Sequence, residues 1–252
     1  MFSKEIKFIA NKEYVNVSEV LPQPSKLNVP LWFKELNHSI KEKTVKGCMP
    51  FLDTLTTGYI IKMPVDYYIG HNLKVENEDI HRGTEGFTAI SEAENSLIKK
   101  TNINQRHVLE SHPTNQVGEK CPFVNKNKSL PFHKLLNPWI IKTPPGYSCL
   151  FLPPMNNSDD RFSIIPGIVD TDTYPSEINF PIIINGDKYP VLETVIKMGT
   201  PIAQVFPFKR ESWKMVIEEE NSEKEQNKRL FDLRSTIINV YKNKWWSKKS
   251  WK

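Results

Sequence analysis

The chain has 252 residues, 38% of them hydrophobic and 25% charged, and a formal net charge of +5. That length can bury a full core, and the composition is that of an ordinary globular domain. No apolar run approaches the ~20 residues that a membrane-spanning helix needs, so a helical membrane protein is excluded. Nineteen prolines against ten glycines suit strand ends, edges and turns better than long helices. Cys48, Cys121 and Cys149 are far apart, odd in number and without a C-x-x-C pair, and read as reduced, mostly buried small hydrophobes. The N-terminus mixes charged and apolar residues and lacks the apolar core of a signal peptide, so the cytoplasm of the producing cell is the expected location.

In chain order, Ile6, Phe8 and Ile9, then Tyr14, Val15 and Val17, predict one or two short strands within residues 1–20. Pro22, Pro24 and Pro30 mark an extended connector. Val29 to Leu36, with Pro30 near its start, predicts a short helix. From Thr44 the texture predicts strand and turn: Met49 to Asp53, a turn at Thr57-Gly58, then strand from Gly58 to Ile69 with a break or edge at Pro64. Residues 70–130 are polar and predict an insertion of long loops and short strands that serves function or touches a partner. Within it, His107, His112 and Cys121 match no standard zinc spacing, and surface histidines in a loop are the ordinary reading.

Asn137 to Leu152 reads as strand, Pro144-Pro145-Gly146 turn, strand. Arg161 to Val169 and Ile178 to Asn185 read as further strands. Asn185-Gly186-Asp187 is the strongest hairpin-turn signal in the chain. Val191 to Phe208 completes the β core, in which Ile168, Val169, Ile182, Ile184, Ile202 and Val205 are expected in strands and buried. Lys224 to Tyr241 carries Leu230, Leu233, Ile237 and Tyr241 on one face of an amphipathic helix. The chain therefore divides into an N-terminal extension (1–43), a β-rich core (44–217) and a C-terminal helix with a basic, Trp-rich tail (218–252). The fold class is mainly β.

The tail, Trp245-Trp246-Ser247-Lys248-Lys249-Ser250-Trp251-Lys252, interleaves aromatic rings with cations. Packing or an assembly contact through Trp245, Trp246, Trp251, Lys248 and Lys249 is the favoured reading, with the lysine stems lying along the apolar surface. Single-stranded nucleic acid is the alternative, since bases stack on aromatics beside charge. An anionic membrane surface attracts the same mixture.

Two segments carry a resemblance. Gly167-Ile168-Val169-Asp170-Thr171-Asp172-Thr173-Tyr174, and after a further strand Gly199-Thr200-Pro201-Ile202-Ala203-Gln204-Val205, resemble the dUTPase-like β-clip fold. Its members carry a G-(I/V)-(I/V)-D-x-D-Y hairpin and then a G-x-x-I-A-Q strand. The resemblance covers roughly residues 44–69 and 137–208, and implies a dUTPase-like β-clip barrel or sandwich, to which the short N-terminal helix and the C-terminal amphipathic helix are additions. It implies that Asp170 orients the attacking water, and that Asp172 and Tyr174 face a nucleotide, the tyrosine through a turn one residue longer than the family's. It places Gln204 near the phosphates. Thr143 to Ser148 is similar to the family's strand pair joined by a P-x-G turn.

Where those enzymes place an Arg-Ser-Ser phosphate motif, this chain has Leu152-Pro153-Pro154-Met155-Asn156-Asn157. Prolines supply neither cations nor amide donors. The family's glycine-rich C-terminal arm is also absent. Arg161, nearby in sequence, is the residue that could replace the missing cation. The wider pattern is similar to a family of uncharacterised phage and bacterial proteins, through Cys48 to Asp53, Asn137-Pro138-Trp139, Pro144 to Ser148 and Pro207 to Glu211. No activity comes with that likeness.

Two functions follow. The first is a catalytically degenerate member serving as a binding or assembly module, phage-encoded and a virion component, with no metal or cofactor. The second is a deoxynucleoside triphosphate pyrophosphatase with a rearranged phosphate site and Mg²⁺. Because the family builds its sites between subunits, a homo-oligomer, a trimer above all, is expected.

Overall fold

Prolines and glycines set the element ends. The computed structural model describes residues 4–39, 41–72, 109–112, 118, 121–122, 132–219, 227 and 240–252. In chain order the elements are β1 (Lys7–Ile9), α1 (Lys12–Val15), β2 (Gln23–Pro24), α2 (Leu31–Glu35), α3 (Met49–Thr56), β3 (Tyr59–Lys62) and β4 (Tyr67–Asn72). They continue with β5 (Leu109–His112), β6 (Phe132–Leu135), β7 (Ile140–Lys142), β8 (Tyr147–Leu152), β9 (Phe162–Ile164) and β10 (Gly167–Val169). The last are β11 (Phe180–Ile184), β12 (Val191–Ile196), β13 (Pro201–Lys209) and α4 (Val240–Lys244). The break expected at Pro64 separates β3 from β4, and Pro166 separates β9 from β10. The chain is mainly β.

Among the described residues the strands form four sheets, ordered β10-β8-β13-β3-β2, β5-β6-β11-β9, β12-β4 and β1-β7. The longer ladders are antiparallel. β13 is the spine of the first sheet, paired with β3 along one edge and β8 along the other. One core joins the sheets; it includes Ile61 and Met63 of β3, Phe151 of β8, Ile182 and Ile184 of β11, and Ile202 and Val205 of β13. Gly58 opens β3 at φ 78°, and a Cβ there would lie 2.3 Å from the Val205 carbonyl oxygen. Only glycine permits both the left-handed turn and that close approach.

Two compact units result: Met1–Gln23 with Gly58–Lys209, and Pro24–Thr57 with Arg210–Lys252. These boundaries differ from a division at 43/44 and 217/218, because α3 packs with the one-turn helices Ser25–Asn28 and Val45–Gly47. In the second unit Phe33 stacks on Phe51, with Trp32 edge-on to both. Lys46 Nζ donates to the Lys34 and Leu36 carbonyls near the end of α2.

Several expectations are corrected. Lys12–Val15 is a helical turn, not a strand, with the Asn11 carbonyl accepting from the Tyr14 and Val15 amides. Met49 to Asp53 lies in helix α3: Pro50 sits in its first turn, where a missing N–H costs nothing. Ile168 is in a strand but is 63% exposed. β10 is an edge strand paired only with β8, and Ile168 points away from the core while its neighbour Val169 packs against it. Asn185-Gly186-Asp187 does turn the chain, yet its flanking strands do not pair with each other: β11 joins β6 and β9, and β12 joins β4. The connection is a crossover between sheets. Leu230, Leu233 and Ile237 of the expected C-terminal helix lie outside the described residues, as does most of the 70–130 insertion.

Candidate functional site

The acidic segment after β10 is a tight turn held against the loop before β8. The Asp170 carbonyl accepts from the amides of Thr173 (3.1 Å) and Tyr174 (2.9 Å). Thr171 is fully buried, its hydroxyl 2.7 Å from the Thr143 hydroxyl and 3.3 Å from Cys149 Sγ. Burial pushes the Cys149 thiol up to about 11. The Ser148 hydroxyl donates to Asp170 Oδ1 at 2.6 Å, and the Gly146 amide donates to Asp172 Oδ2 at 2.8 Å. Lys142 Nζ donates to the Tyr174 carbonyl at 2.6 Å. Asp170 is thus a solvent-exposed residue whose carboxylate is fixed by a serine, Asp172 holds backbone, and Tyr174 is 41% exposed.

At the other end of β8 the Leu152 to Asn157 segment is braced from below. Gln204, only 1% exposed, accepts the Met155 amide on Oε1 at 3.0 Å. Arg161 is committed as well. Its Nε and Nη2 grip Asp159 at 2.9 and 2.8 Å, and Nη1 donates to the Thr194 hydroxyl at 2.7 Å. The Asp159 hydrogen bond, foremost, holds the Arg161 guanidinium above its ordinary range. Asp160 accepts from Lys188 and Tyr189, and the Lys188 bond chiefly holds its carboxyl below the usual range. Beside this segment lies a cleft of about 270 Å³, with Pro153, Pro154, Phe162 and Ile183 on its apolar wall and Asp159 and Asp160 in its lining. Among the described residues that line it there is no lysine or arginine.

The two ends do not form one site within a chain. Asp170 is tied to Ser148, which pairs with Phe208, whereas Gln204 pairs with Leu152. Four residues of strand, about 13 Å, separate these positions. Arg161 is held by Asp159, Thr194 and the Val195 carbonyl, and Asp159 lines the cleft together with Pro153 and Pro154.

The tail folds onto its own unit. Trp246 Nε1 donates to both Asp53 oxygens (3.2 and 3.0 Å), and Lys249 Nζ reaches Asp53 at 2.6 Å. The Lys249 ammonium also lies 5.6 Å from the centre of the Trp246 ring. Trp251 is half-buried, while Trp245 and Lys248 are exposed. Asp53 and Ser148 escaped the sequence reading as site residues, since nothing in their spacing links them to partners 196 and 22 residues away; Asp159 was missed although its partner Arg161 lies two residues on. Among the described residues no three His, Cys, Asp or Glu side chains gather in a metal-binding group. Cys121 is half-buried; His107 and the side chain of His112 lie outside the described residues. No described helix is long and apolar enough to cross a membrane.

A mainly β chain with an anchored acidic turn and a G-x-x-I-A-Q strand is the class these residues define. Among solved structures it is similar to a mutant dUTPase of Staphylococcus bacteriophage 80alpha, described with dUpNHpp. Identity is 11% and the TM-score 0.36, over 88% of this chain and 91% of that one. It is also similar to a mutant dUTPase from phage phi11 of S. aureus, described with a structural Mg(II) ion. There identity is 16% and the TM-score 0.27, over 36% of this chain and 74% of that one. No protein-family model and no curated protein matches the chain.

Proposed function

We propose that this protein is a catalytically degenerate, dUTPase-like β-clip protein that serves as a binding or assembly module, phage-encoded and a virion component. One observation carries the reading: the groups that would meet a triphosphate are already spent. Gln204 braces Met155, Arg161 is held by Asp159 and Thr194, and the described residues lining the nearby cleft include two carboxylates and no cation. A phosphoryl transition state needs donors or cations aimed at its oxygens, and losing one such donor costs about 3 kcal/mol, or 10²–10³ in rate. The module works without a metal or cofactor. It self-associates, most simply as a trimer, because the family it resembles builds its sites between subunits.

A second reading rests on Asp170, which Ser148 fixes while leaving it open to solvent. A carboxylate so held can orient a water. With Mg²⁺ and a cation from a neighbouring chain, the protein would then be a deoxynucleoside triphosphate pyrophosphatase. The test is pyrophosphate release with Mg²⁺ across dUTP and the four common deoxynucleotides. Little or no turnover is the expected result. Robust turnover, abolished by Asp170→Asn, would establish the enzyme instead. A thermal-shift screen of the same nucleotides reads binding separately, because a ligand at 100 times its dissociation constant stabilises by ~2.7 kcal/mol.

A further inference from the structure

The C-terminal tail divides into residues the protein holds and residues it leaves out. Trp246 and Lys249 are bound to Asp53, and Trp251 is half-buried. The Tyr241 carbonyl accepts from the amides of Trp245 (3.1 Å) and Trp246 (3.0 Å), which fixes the backbone just after α4. Beside these anchors Trp245 is 50% exposed, and Lys242, Lys244 and Lys248 are exposed as well. Among the described residues, the side chains of those three lysines have no hydrogen bond or ion pair. From Tyr241 to Lys252 there are five lysines and neither arginine nor acid.

Such a surface attracts anions, and its chemistry selects among their classes. The centre of a protein interface favours arginine and is depleted in lysine. An anionic membrane takes an amphipathic segment with several large apolar side chains on one face. Here Asp53 holds Trp246 and Trp251 is half-buried, so Trp245 is the most exposed of the three rings. A phosphodiester chain asks for less. Each ammonium is a compact point charge that can meet a phosphate. One ring stacks one base, whichever base it is, since every base has a π-face. We propose that Lys242, Lys244, Trp245 and Lys248 bind single-stranded nucleic acid without sequence preference, on a tail that Asp53 fixes in place. A tail already held loses less conformational freedom on binding than a loose one. Bases paired in a duplex offer Trp245 no free face, so single strands are preferred. The inference draws on nothing in the reading of Asp170, Gln204 or the cleft, and it holds for any number of chains.

Fluorescence anisotropy of a labelled oligothymidine strand tests it, with salt as the variable. Three lysines, at about 0.7 per phosphate contact, give an expected slope of about −2 in log K against log salt for each tail engaged. Lys248→Gln should reduce that slope by about 0.7. Trp245→Ala should weaken binding roughly tenfold and leave the slope unchanged. A duplex of equal length should bind more weakly than the strand and should not respond to Trp245→Ala. Circular dichroism checks the fold of each variant. If Trp245→Ala does not fold, the Lys248→Gln slope and the comparison of strand with duplex decide. Absence of binding at low salt, a duplex bound as tightly as the strand, or a slope that Lys248→Gln leaves unchanged would each overturn the proposal. Tighter binding to phosphatidylserine vesicles or to polyglutamate than to the strand would overturn it too.

Discussion

Gln204→Met separates a structural amide from a ligand-binding one. Methionine keeps the length and volume of the side chain, so the buried site creates no cavity. What disappears is the acceptor for the Met155 amide, 3.0 Å away across 49 residues of sequence. Leaving a buried donor unsatisfied costs about 1–3 kcal/mol. Met155 is only half-buried, so water recovers part of the loss and about 1–1.5 kcal/mol is expected. At 2–4 °C per kcal/mol for a chain of this size, the melting temperature should fall by about 2–6 °C. The Met155 amide should also exchange hydrogen faster, by roughly tenfold, because 1.4 kcal/mol is a factor of ten. Differential scanning calorimetry and amide exchange read the two effects. If the melting temperature and the exchange rate stay put while nucleotide binding changes, Gln204 faces a ligand and the argument from its bond to Met155 fails.

With its thiol pushed up to about 11, Cys149 is thiolate in about one molecule per thousand at pH 8. A disulfide reagent should therefore modify exposed Cys48 quickly and Cys149 only after denaturation; rapid native modification of Cys149 would contradict its burial. Gly58→Ala and Gly146→Ala share a left-handed backbone penalty of about 1–2 kcal/mol. Only Gly58 has a carbonyl in the way, and nothing lies within 4 Å of a Cβ at Gly146. Gly58→Ala should lower the melting temperature at least twice as far, or abolish soluble expression, and equal effects would refute the close approach to Val205. Asp53→Ala should release the tail, read as faster tryptic cleavage at Lys248 and Lys249. Stability should drop by no more than about 1 kcal/mol, because Lys249 is 44% exposed and screened. Unchanged cleavage would show that something other than Asp53 holds Trp246 and Lys249.

Much of the β architecture is local and could be read directly. Pro64 breaks a strand because proline cannot donate to a ladder, and Gly58 and Gly146 turn the chain because they tolerate positive φ; the single strand expected from Arg161 to Val169 is instead split by Pro166 into β9 and β10. Ile182, Ile184, Ile202 and Val205 lie in strands and in the core, as β-branched runs between turn signals predict. Met49 to Asp53 misled because a short apolar run containing proline fits a helix start as well as a strand. Ile168 misled for a different reason. Alternation fixes which residues share a face, but not whether a second layer covers that face.

What the sequence by itself determined is the alphabet of strands and turns, and the acidic and G-x-x-I-A-Q segments that carry the resemblance. The tertiary structure alone decided the pairing. It made the Asn185-Gly186-Asp187 turn a crossover, tied Asp170 to Ser148 and Gln204 to Met155, and brought Trp246 onto Asp53. Turn chemistry acts over a few residues, so a sequence displays it. Partners such as Gln204 and Met155, or Trp246 and Asp53, are chosen by which ladder edge and which carboxylate the rest of the fold leaves within reach, and no local pattern encodes that choice.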